Sequence, residues 1–262
     1  MNLGLKGKVM VVTGGAKGIG WACCLAFAAE GANVFCIDID RAALGEIGIK
    51  TDSLGLPGSI FGYGTDLSIC SFCESGVMNA VTVFGGIDIL VNNVGIEPKE
   101  SFLPIHDSTL EMWNHILGVN LTSHFLMMKY ALPAMVKRGG GVVINVASVQ
   151  AFQSEKNGVP AYGVSKSGIL GLTRIAALHY AEHNIRVLAV CPGAIDTPLV
   201  RAELDDEGVT KLGKLHPIGR IGTPEEVARV ITFLASGAAS FMTGTAVYVD
   251  GGLTAKGAWD RS

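Results

Sequence analysis

The sequence predicts a doubly wound α/β fold, a parallel sheet of seven strands with helices on both faces. Three observations predict it. Short β-branched runs recur along the chain, at Val9–Thr13, Asn33–Asp38, 60–66, 87–93, 142–148, 186–191 and Ala246–Val249, with helical patterns between them. These runs are almost continuously apolar instead of alternating, which is the pattern of strands covered on both faces and so of a parallel sheet. No linker, low-complexity tract or repeat interrupts them, so residues 1–262 are expected to form one domain.

Composition narrows the possible partners. A net charge of −3 and the absence of any Lys/Arg run exclude a basic footprint for nucleic acid or an anionic membrane surface, leaving a small molecule as the expected partner. The first apolar run, 9–12, ends at once in Thr13-Gly14-Gly15, too soon for a membrane span or a signal peptide, and a cytoplasmic protein is expected. Six cysteines are too scattered for a disulfide framework, and Cys23, Cys24, Cys36 and Cys191 lie in apolar runs. Cys70 and Cys73 form a lone CxxC with no second pair nearby, and His179 and His183 lack the glutamate of HExxH, so no metal site is expected.

In a doubly wound sheet, ligands bind beyond the carboxyl ends of the strands, where strand order reverses. The residues that follow the seven runs are Thr13-Gly14-Gly15, Asp38, Asp66, Asn92-Asn93-Val94-Gly95, Ser148, Pro192-Gly193 and Asp250-Gly251-Gly252. Small, polar and acidic residues therefore collect at one edge. After the first strand, TGGAKGIG places Gly14, Gly18 and Gly20 at the opening of a helix that closes at Gly31, a setting that brings main chain and a helix N-terminus up to a pyrophosphate. The spacing is not GxGxxG. Nor is it a P-loop, since Lys17 is followed by Gly18 where Ser or Thr is needed.

Asp38 ends the second strand, where a carboxylate can accept hydrogen bonds from an adenosine ribose and repel a 2′-phosphate, so NAD is expected over NADP. A plain loop aspartate before Asp40-Arg41 is the alternative, and Lys17 could attract a phosphate. Asp66 could equally cap a helix, with Ser68 as its competitor. Further on, AYGVSK at 161–166 sets Tyr162 and Lys166 four residues apart, on one face of a helix. By itself that spacing fits a proton-transfer pair or two neighbours on a helix edge.

TGGAKGIG at 13–20, NNVG at 92–95, Asn120 in GVNL, Ser148 in NVAS, YGVSK at 162–166 and PGAIDT at 192–197 together resemble the short-chain dehydrogenase/reductase family, over residues 6–253. The resemblance implies a single-domain Rossmann fold and the interconversion of a secondary alcohol and a ketone. It implies that Tyr162 is the general acid/base. A phenol of reference pKa about 10 reaches working range when an ammonium and an oxidised nicotinamide favour the phenolate. By the same resemblance Lys166 also binds the nicotinamide ribose, Ser148 donates to the substrate oxygen, and Asn120 holds a water that passes the proton to solvent. Ser154 is a rival for the serine role. Ile19 would pack under the pyrophosphate, Asp66 and Leu67 would contact adenine, and Asn92 and Gly95 would lie along the cofactor. Pro192 and Gly193 would lie against the nicotinamide, with Ile195 and Thr197 on its carboxamide.

Substrate choice is expected in the loops after Gly95, Ser148 and Thr197, with 197–217 as a mobile lid hinged at Gly208 and Gly213. Glu97, Gln150, Gln153, Glu155 and Lys156 favour a polar hydroxy substrate such as a sugar or polyol, with Ser148, Tyr162 and Gly193 also in contact. Phe102, Phe152, Val159 and Leu199 could instead line a pocket for a steroid or cyclic alcohol. An acyl-carrier-protein reductase would want basic docking residues where Pro133 and Leu178 stand, and a non-catalytic dinucleotide sensor would not need Tyr162 and Lys166 intact. Helical segments 122–137 and 161–183 resemble those that pair across a two-fold in the family, so a homotetramer is expected, or a dimer, with GGLTAKGAW near a second interface.

Overall fold

The computed structural model describes residues 3–47, 53–154 and 158–256. Glu155, Lys156 and the Gly257-Ala258-Trp259 end of the C-terminal motif lie outside the described residues. Seven strands, β1 Val9–Thr13, β2 Asn33–Asp38, β3 Ser59–Gly64, β4 Ile89–Asn92, β5 Gly141–Val146, β6 Ile185–Pro192 and β7 Ala246–Val249, form one sheet in the order β3-β2-β1-β4-β5-β6-β7. Every neighbouring pair is parallel. Strand order reverses between β1 and β4, which opens a crevice beyond their carboxyl ends.

The two-sided burial expected of these strands is visible residue by residue. In β1, Met10 and Val12 join the core under α1 (Gly18–Ala29), whereas Val11 joins the core on the opposite face. In β2, Val34 and Cys36 take the first side and Phe35 and Ile37 the second. Alternate side chains thus serve two cores, so these two strands are apolar toward both faces. Arg41–Gly45 forms the short α2. The second core is closed by α3 (Cys70–Phe84), α5 (Ser123–Lys137) and α6 (Pro160–Tyr180), with α4 (Leu110–Leu117) leading into α5. After β6 come α7 (Pro198–Arg201) and α8 (Asp206–Leu215), and then α9 (Pro224–Ala235), which packs on α1 in the first core.

Several boundaries depart from the periodicity, for local reasons. The β3 run stops at Gly64 because Asp66 folds back to accept the Ser68 N–H at 2.9 Å, an alternative to the ladder. Asp66 is therefore a turn residue and Ile69 the N-cap of α3. The β5 run stops at Val146, and Ser148 caps a 3₁₀ turn over Val149–Ala151. Helix α1 ends at Ala29, and Gly31 supplies the left-handed residue beyond it at φ +81°. Among the described residues no helix is long and apolar enough to cross a membrane.

Candidate active site

The glycine loop between β1 and α1 is built on one close approach. A Cβ on Gly20 would lie 2.1 Å from the Gly14 carbonyl oxygen, so only glycine lets the first turn of α1 fold against the loop. Gly14, at φ +62°, turns the chain there. Both glycines face the end of β4, where Asn93 Nδ2 donates to the carbonyls of Thr13 and Gly14 at 3.0 Å each. In return Thr13 Oγ1 accepts the N–H groups of Asn93 and Val94 at 3.0 and 3.1 Å. Asn93, not Asn92, thus ties the two strand ends. Asn92 was expected along the cofactor, but its side chain is fully buried and donates to Asn145 Oδ1 at 2.9 Å, because alternation along β4 turns it into the core.

Asp38 uses both carboxylate oxygens at the rim of this loop, accepting Ala16 N–H and Asp40 N–H at 2.9 Å each. Lys17 does not point free into the crevice. Its ammonium lies 2.6 Å from Asp40 Oδ2, and that hydrogen bond, before the charge of Asp38, raises the lysine's pKa. Beyond β2 and β3 a cleft of about 290 Å³ is lined by Ile39, Arg41, Thr65, Asp66 and Phe72. Its place beside the ends of β2 and β3 suits the adenine end of a dinucleotide, and with the glycine loop the residues present fit such a group. Leu67 is buried beside it and gives its carbonyl to the Cys73 thiol.

At the other side of the crevice, α4 passes into α5 through a π turn, Gly118–Thr122, and Asn120 sits at its centre. Such one-turn insertions redirect a side chain within a helix. Here the fully buried Asn120 accepts Ile96 N–H at 2.8 Å, donates to Ile96 C=O at 2.9 Å, and donates to Ser165 Oγ at 3.3 Å. Ser165 in turn donates to the Tyr162 carbonyl at 2.6 Å. Asn120 is therefore wired to the first turn of the helix that carries Tyr162 and Lys166.

Tyr162 is half-buried and Lys166 is 3% exposed, with its ammonium 5.4 Å from the Tyr162 ring centroid and 3.1 Å from the Val146 carbonyl it donates to. Burial lowers the Lys166 pKa to about 8, against the opposing pull of Glu97 and then Cys191. Gly95 is the close neighbour: a Cβ there would stand 3.3 Å from the ammonium. Ser148 Oγ accepts the Gln150 N–H at 3.1 Å, which leaves its hydroxyl proton available to a substrate oxygen. Ser154 is exposed in the following loop.

Past β6, the turn Pro192-Gly193-Ala194 is held by His216. The Ala194 N–H donates to His216 Nε2 at 3.1 Å while Nδ1–H donates to the Leu212 carbonyl at 3.1 Å. A Cβ on Gly193 would lie 2.9 Å from that ring. Ile195 buries its side chain in the first core and offers only main chain to the crevice, whereas Thr197 packs on Gly18. Gly208 and Gly213, expected as hinges, lie inside α8. Gly213 is needed for its contact with Arg220, where a Cβ would meet main chain at 3.1 Å. Arg201 bridges Asp196, at 2.6 Å, and Asp206, at 2.7 Å, pinning the segment's entry.

Around Tyr162 an apolar wall gathers Ile96, Phe102, Met112, Trp113 and Val159. Phe152 is not part of it: its ring lies at a tilt of 44° against Tyr248 of β7, centroids 5.0 Å apart, in a separate cleft with Leu170 and Arg174. The structure also adds residues the motifs did not single out: Thr13, Asn93, Ser165, His216 and His124. His124 is fully buried on α5, its Nε2 3.1 Å from the Val94 carbonyl. Burial, and then the charge of Lys166, lowers its pKa to about 3.

That shift has a measurable sign. Between the unfolded value near 6.5 and about 3, the unfolded chain binds a proton that the native protein refuses, so the stability is present above pH 6.5 and lost as pH falls toward 3. The slope is about 1.4 kcal/mol per pH unit for one such group. Urea unfolding of wild type is expected to weaken more steeply between pH 6 and 4 than that of His124→Gln; parallel pH profiles would remove His124 from the account.

Residues 14–254 match a family model described as enoyl-(acyl carrier protein) reductase. A 3-oxoacyl-acyl-carrier-protein reductase, FabG, of Thermotoga maritima is 39% identical over 249 residues, covering 95% of this chain and 98% of its own. Cyclohexanol dehydrogenase of Acinetobacter sp. (strain SE19) is 37% identical over 249 residues, covering 95% and 96%. The ligand-free structure of aldohexose dehydrogenase from Thermoplasma acidophilum superposes with a TM-score of 0.87 at 34% identity, covering 99% of each chain. With the parallel sheet, the glycine loop and the Tyr162/Lys166 helix already in place, these matches make the chain a member of the short-chain dehydrogenase/reductase family, an oxidoreductase that acts on CH–OH groups with a nicotinamide dinucleotide.

Proposed function

We propose that this enzyme is an NAD-dependent dehydrogenase of a polar secondary alcohol, a sugar, polyol or ring diol. The observation that carries the substrate class is Glu97. It follows the segment held by Asn120, one of its carboxylate oxygens is wholly shielded from solvent, and its charge reaches Lys166 on the catalytic helix. A carboxylate so placed accepts a hydrogen bond from a second hydroxyl of the substrate, with Gln150 and Gly193 at the pocket edge. The NAD preference is supported by Asp38 at the end of β2 and by Asp40, which occupies Lys17.

A nicotinamide dinucleotide held by the glycine loop and Asp38 would supply the hydride acceptor for the alcohol carbon. Tyr162 takes the hydroxyl proton, Ser148 steadies the substrate oxygen, and the ammonium of Lys166 favours the phenolate. Asn120 fixes Ile96 and the first turn of α6, so these groups keep their alignment. Segment 197–217 covers the substrate. Exposed Phe125, Val164, Ile175 and Leu178 on α5 and α6 support packing across a two-fold, hence a homotetramer, or a dimer. Buried free thiols at Cys23, Cys24, Cys36, Cys73 and Cys191 suit a cytoplasmic setting.

A second reading, an apolar cyclic alcohol, is favoured by the wall of Ile96, Phe102, Trp113 and Val159 and by the similarity to cyclohexanol dehydrogenase. Acyl-carrier-protein docking draws no support from Pro133 or from exposed Leu178. NADH formation across sugars, polyols, ring diols, cyclohexanol and hydroxysteroids separates these readings. Polyhydroxy substrates are expected to turn over, with Glu97→Gln raising their KM about 10- to 100-fold through a lost charged hydrogen bond, whereas cyclohexanol should lose only the smaller part that the Glu97 charge contributes through Lys166. Turnover of cyclohexanol or steroids alone would transfer the assignment to the second reading, and NAD binding without any turnover would leave a sensor.

A further inference from the structure

We propose that His124 is a positioning residue of the catalytic site, an imidazole that holds the Val94–Glu97 segment against Lys166. The proposal rests on the catalytic role given to Lys166 above. His124 lies one turn after Asn120 on the same helical face, and the two side chains grip one short stretch of chain. Asn120 takes both the N–H and the C=O of Ile96, at 2.8 and 2.9 Å. His124 takes the C=O of Val94 at 3.1 Å, while Thr13 Oγ1 takes the N–H of the same residue at 3.1 Å.

Gly95 is thus clamped on both sides. It lies so near Lys166 that a Cβ would stand 3.3 Å from the ammonium and 3.6 Å from Asn120 Oδ1. A lateral shift of this segment therefore changes two things at once: the space left to Lys166, and the distance of the Glu97 carboxylate that supports its charge.

The imidazole has the right chemistry for this task. A carbonyl can only accept, so Nε2 carries the proton and Nδ1 is the bare nitrogen. A charged ring is opposed first by burial and then by the Lys166 ammonium facing it from α6, and the Val94 hydrogen bond works the other way without outweighing them. Glu97, on the clamped segment, and Cys191, on β6, act on Lys166. The grip on Val94 consequently stays uncharged around neutral pH. An apolar side chain at 124 would fill the space but leave the Val94 carbonyl without its donor.

The test uses the full-length enzyme with His124→Gln, His124→Asn and His124→Leu, assayed well below each variant's Tm with the best substrate and NAD⁺. Glutamine places an N–H close to the position of Nε2, whereas asparagine stops short of it. His124→Gln is expected to stay within about threefold of wild type in kcat/KM, and His124→Leu and His124→Asn to fall by about 10- to 100-fold, as for a lost buried hydrogen bond. Adding Glu97→Gln to His124→Leu should then cost less than Glu97→Gln costs alone, since the clamp has already released that carboxylate. If leucine and glutamine behave alike, or if the Glu97 effect is additive, the positioning role is overturned. If leucine does not fold, the comparison of glutamine with asparagine decides by the same criterion. A wild-type enzyme that binds NAD⁺ but turns over no alcohol overturns the functional reading, and this proposal with it. An active wild type with an indifferent position 124 overturns this proposal alone.

Discussion

Tyr162→Phe is expected to lower kcat/KM for alcohol oxidation by about 10³- to 10⁴-fold, the upper part of the range for a single general acid/base. The reason is that phenylalanine keeps the shape of the ring in the wall formed with Phe102, Trp113 and Val159 and removes only the group that takes the proton. The helix turn beneath it is held by Ser165 on the Tyr162 main-chain carbonyl and by Asn120 on Ser165, bonds that phenylalanine keeps, so the fold and the cofactor crevice should be unchanged. NAD⁺ affinity, read by tryptophan fluorescence or calorimetry, is accordingly expected to stay within about threefold. Lys166→Met should behave differently, losing turnover and NAD⁺ affinity together. Lys166 is 3% exposed, and its ammonium donates to Val146 and lies against Gly95, which fits the proposed service to the cofactor side as well as the phenol. A Tyr162→Phe enzyme retaining a tenth or more of wild-type activity would end the proton-transfer assignment.

The contrast between Tyr162 and His124 marks what a sequence discloses about such a site. Tyr162, Lys166, Ser148 and the glycines lie within short motifs whose spacing is itself the chemistry: four residues on one helix face, or a glycine where another backbone passes. The sheet was equally legible, because strands covered on both faces cannot hide their apolar runs among polar ones. What was not legible depends on which way a side chain turns at a strand end or across a distance in the chain. Asn92 and Asn93 are adjacent and identical in type, yet alternation sends the first to Asn145 in the core and the second to the glycine loop. No composition argument separates them.

His124 and His216 escaped for a related reason. A lone histidine, inside α5 at 124 and at the C-cap of α8 at 216, carries no spacing signal, and the partners, Val94 and Ala194, are main-chain groups 30 and 22 residues away. The π turn that aims Asn120 at Ile96 is likewise invisible to a 3.6-residue period, since it interrupts that period by design. Phe152 shows the converse error. Sequence proximity to Ser148 suggested the substrate pocket, but the 3₁₀ turn at Val149–Ala151 carries its ring over to Tyr248.

The second large effect concerns the cofactor, and two acids share it. Asp38 stands at the end of β2 with its oxygens on Ala16 N–H and Asp40 N–H, so a charge is fixed at the place where an adenosine ribose hydroxyl is expected. Lys17, the nearest cation on the glycine loop, is held 2.6 Å from Asp40. Removing Asp38 alone therefore lifts a repulsion without offering a 2′-phosphate any new partner. Asp38→Ser is expected to lower kcat/KM for NAD⁺ by about 10- to 100-fold, the worth of hydrogen bonds to a charged group, and to raise that for NADP⁺ only modestly. Asp38→Ser combined with Asp40→Ser frees Lys17 as well, and should bring the NADP⁺ to NAD⁺ ratio up by about 10³-fold, an increase that salt diminishes because Lys17 is solvent-exposed. Asp38→Asn separates charge from geometry, since its amide oxygen can still accept the Ala16 N–H. If Asn and Ser at 38 shift the ratio equally, charge governs the preference; if only Ser shifts it, the loop contact does. Equal use of both cofactors by the unaltered enzyme would show that Asp38 does not set the preference at all.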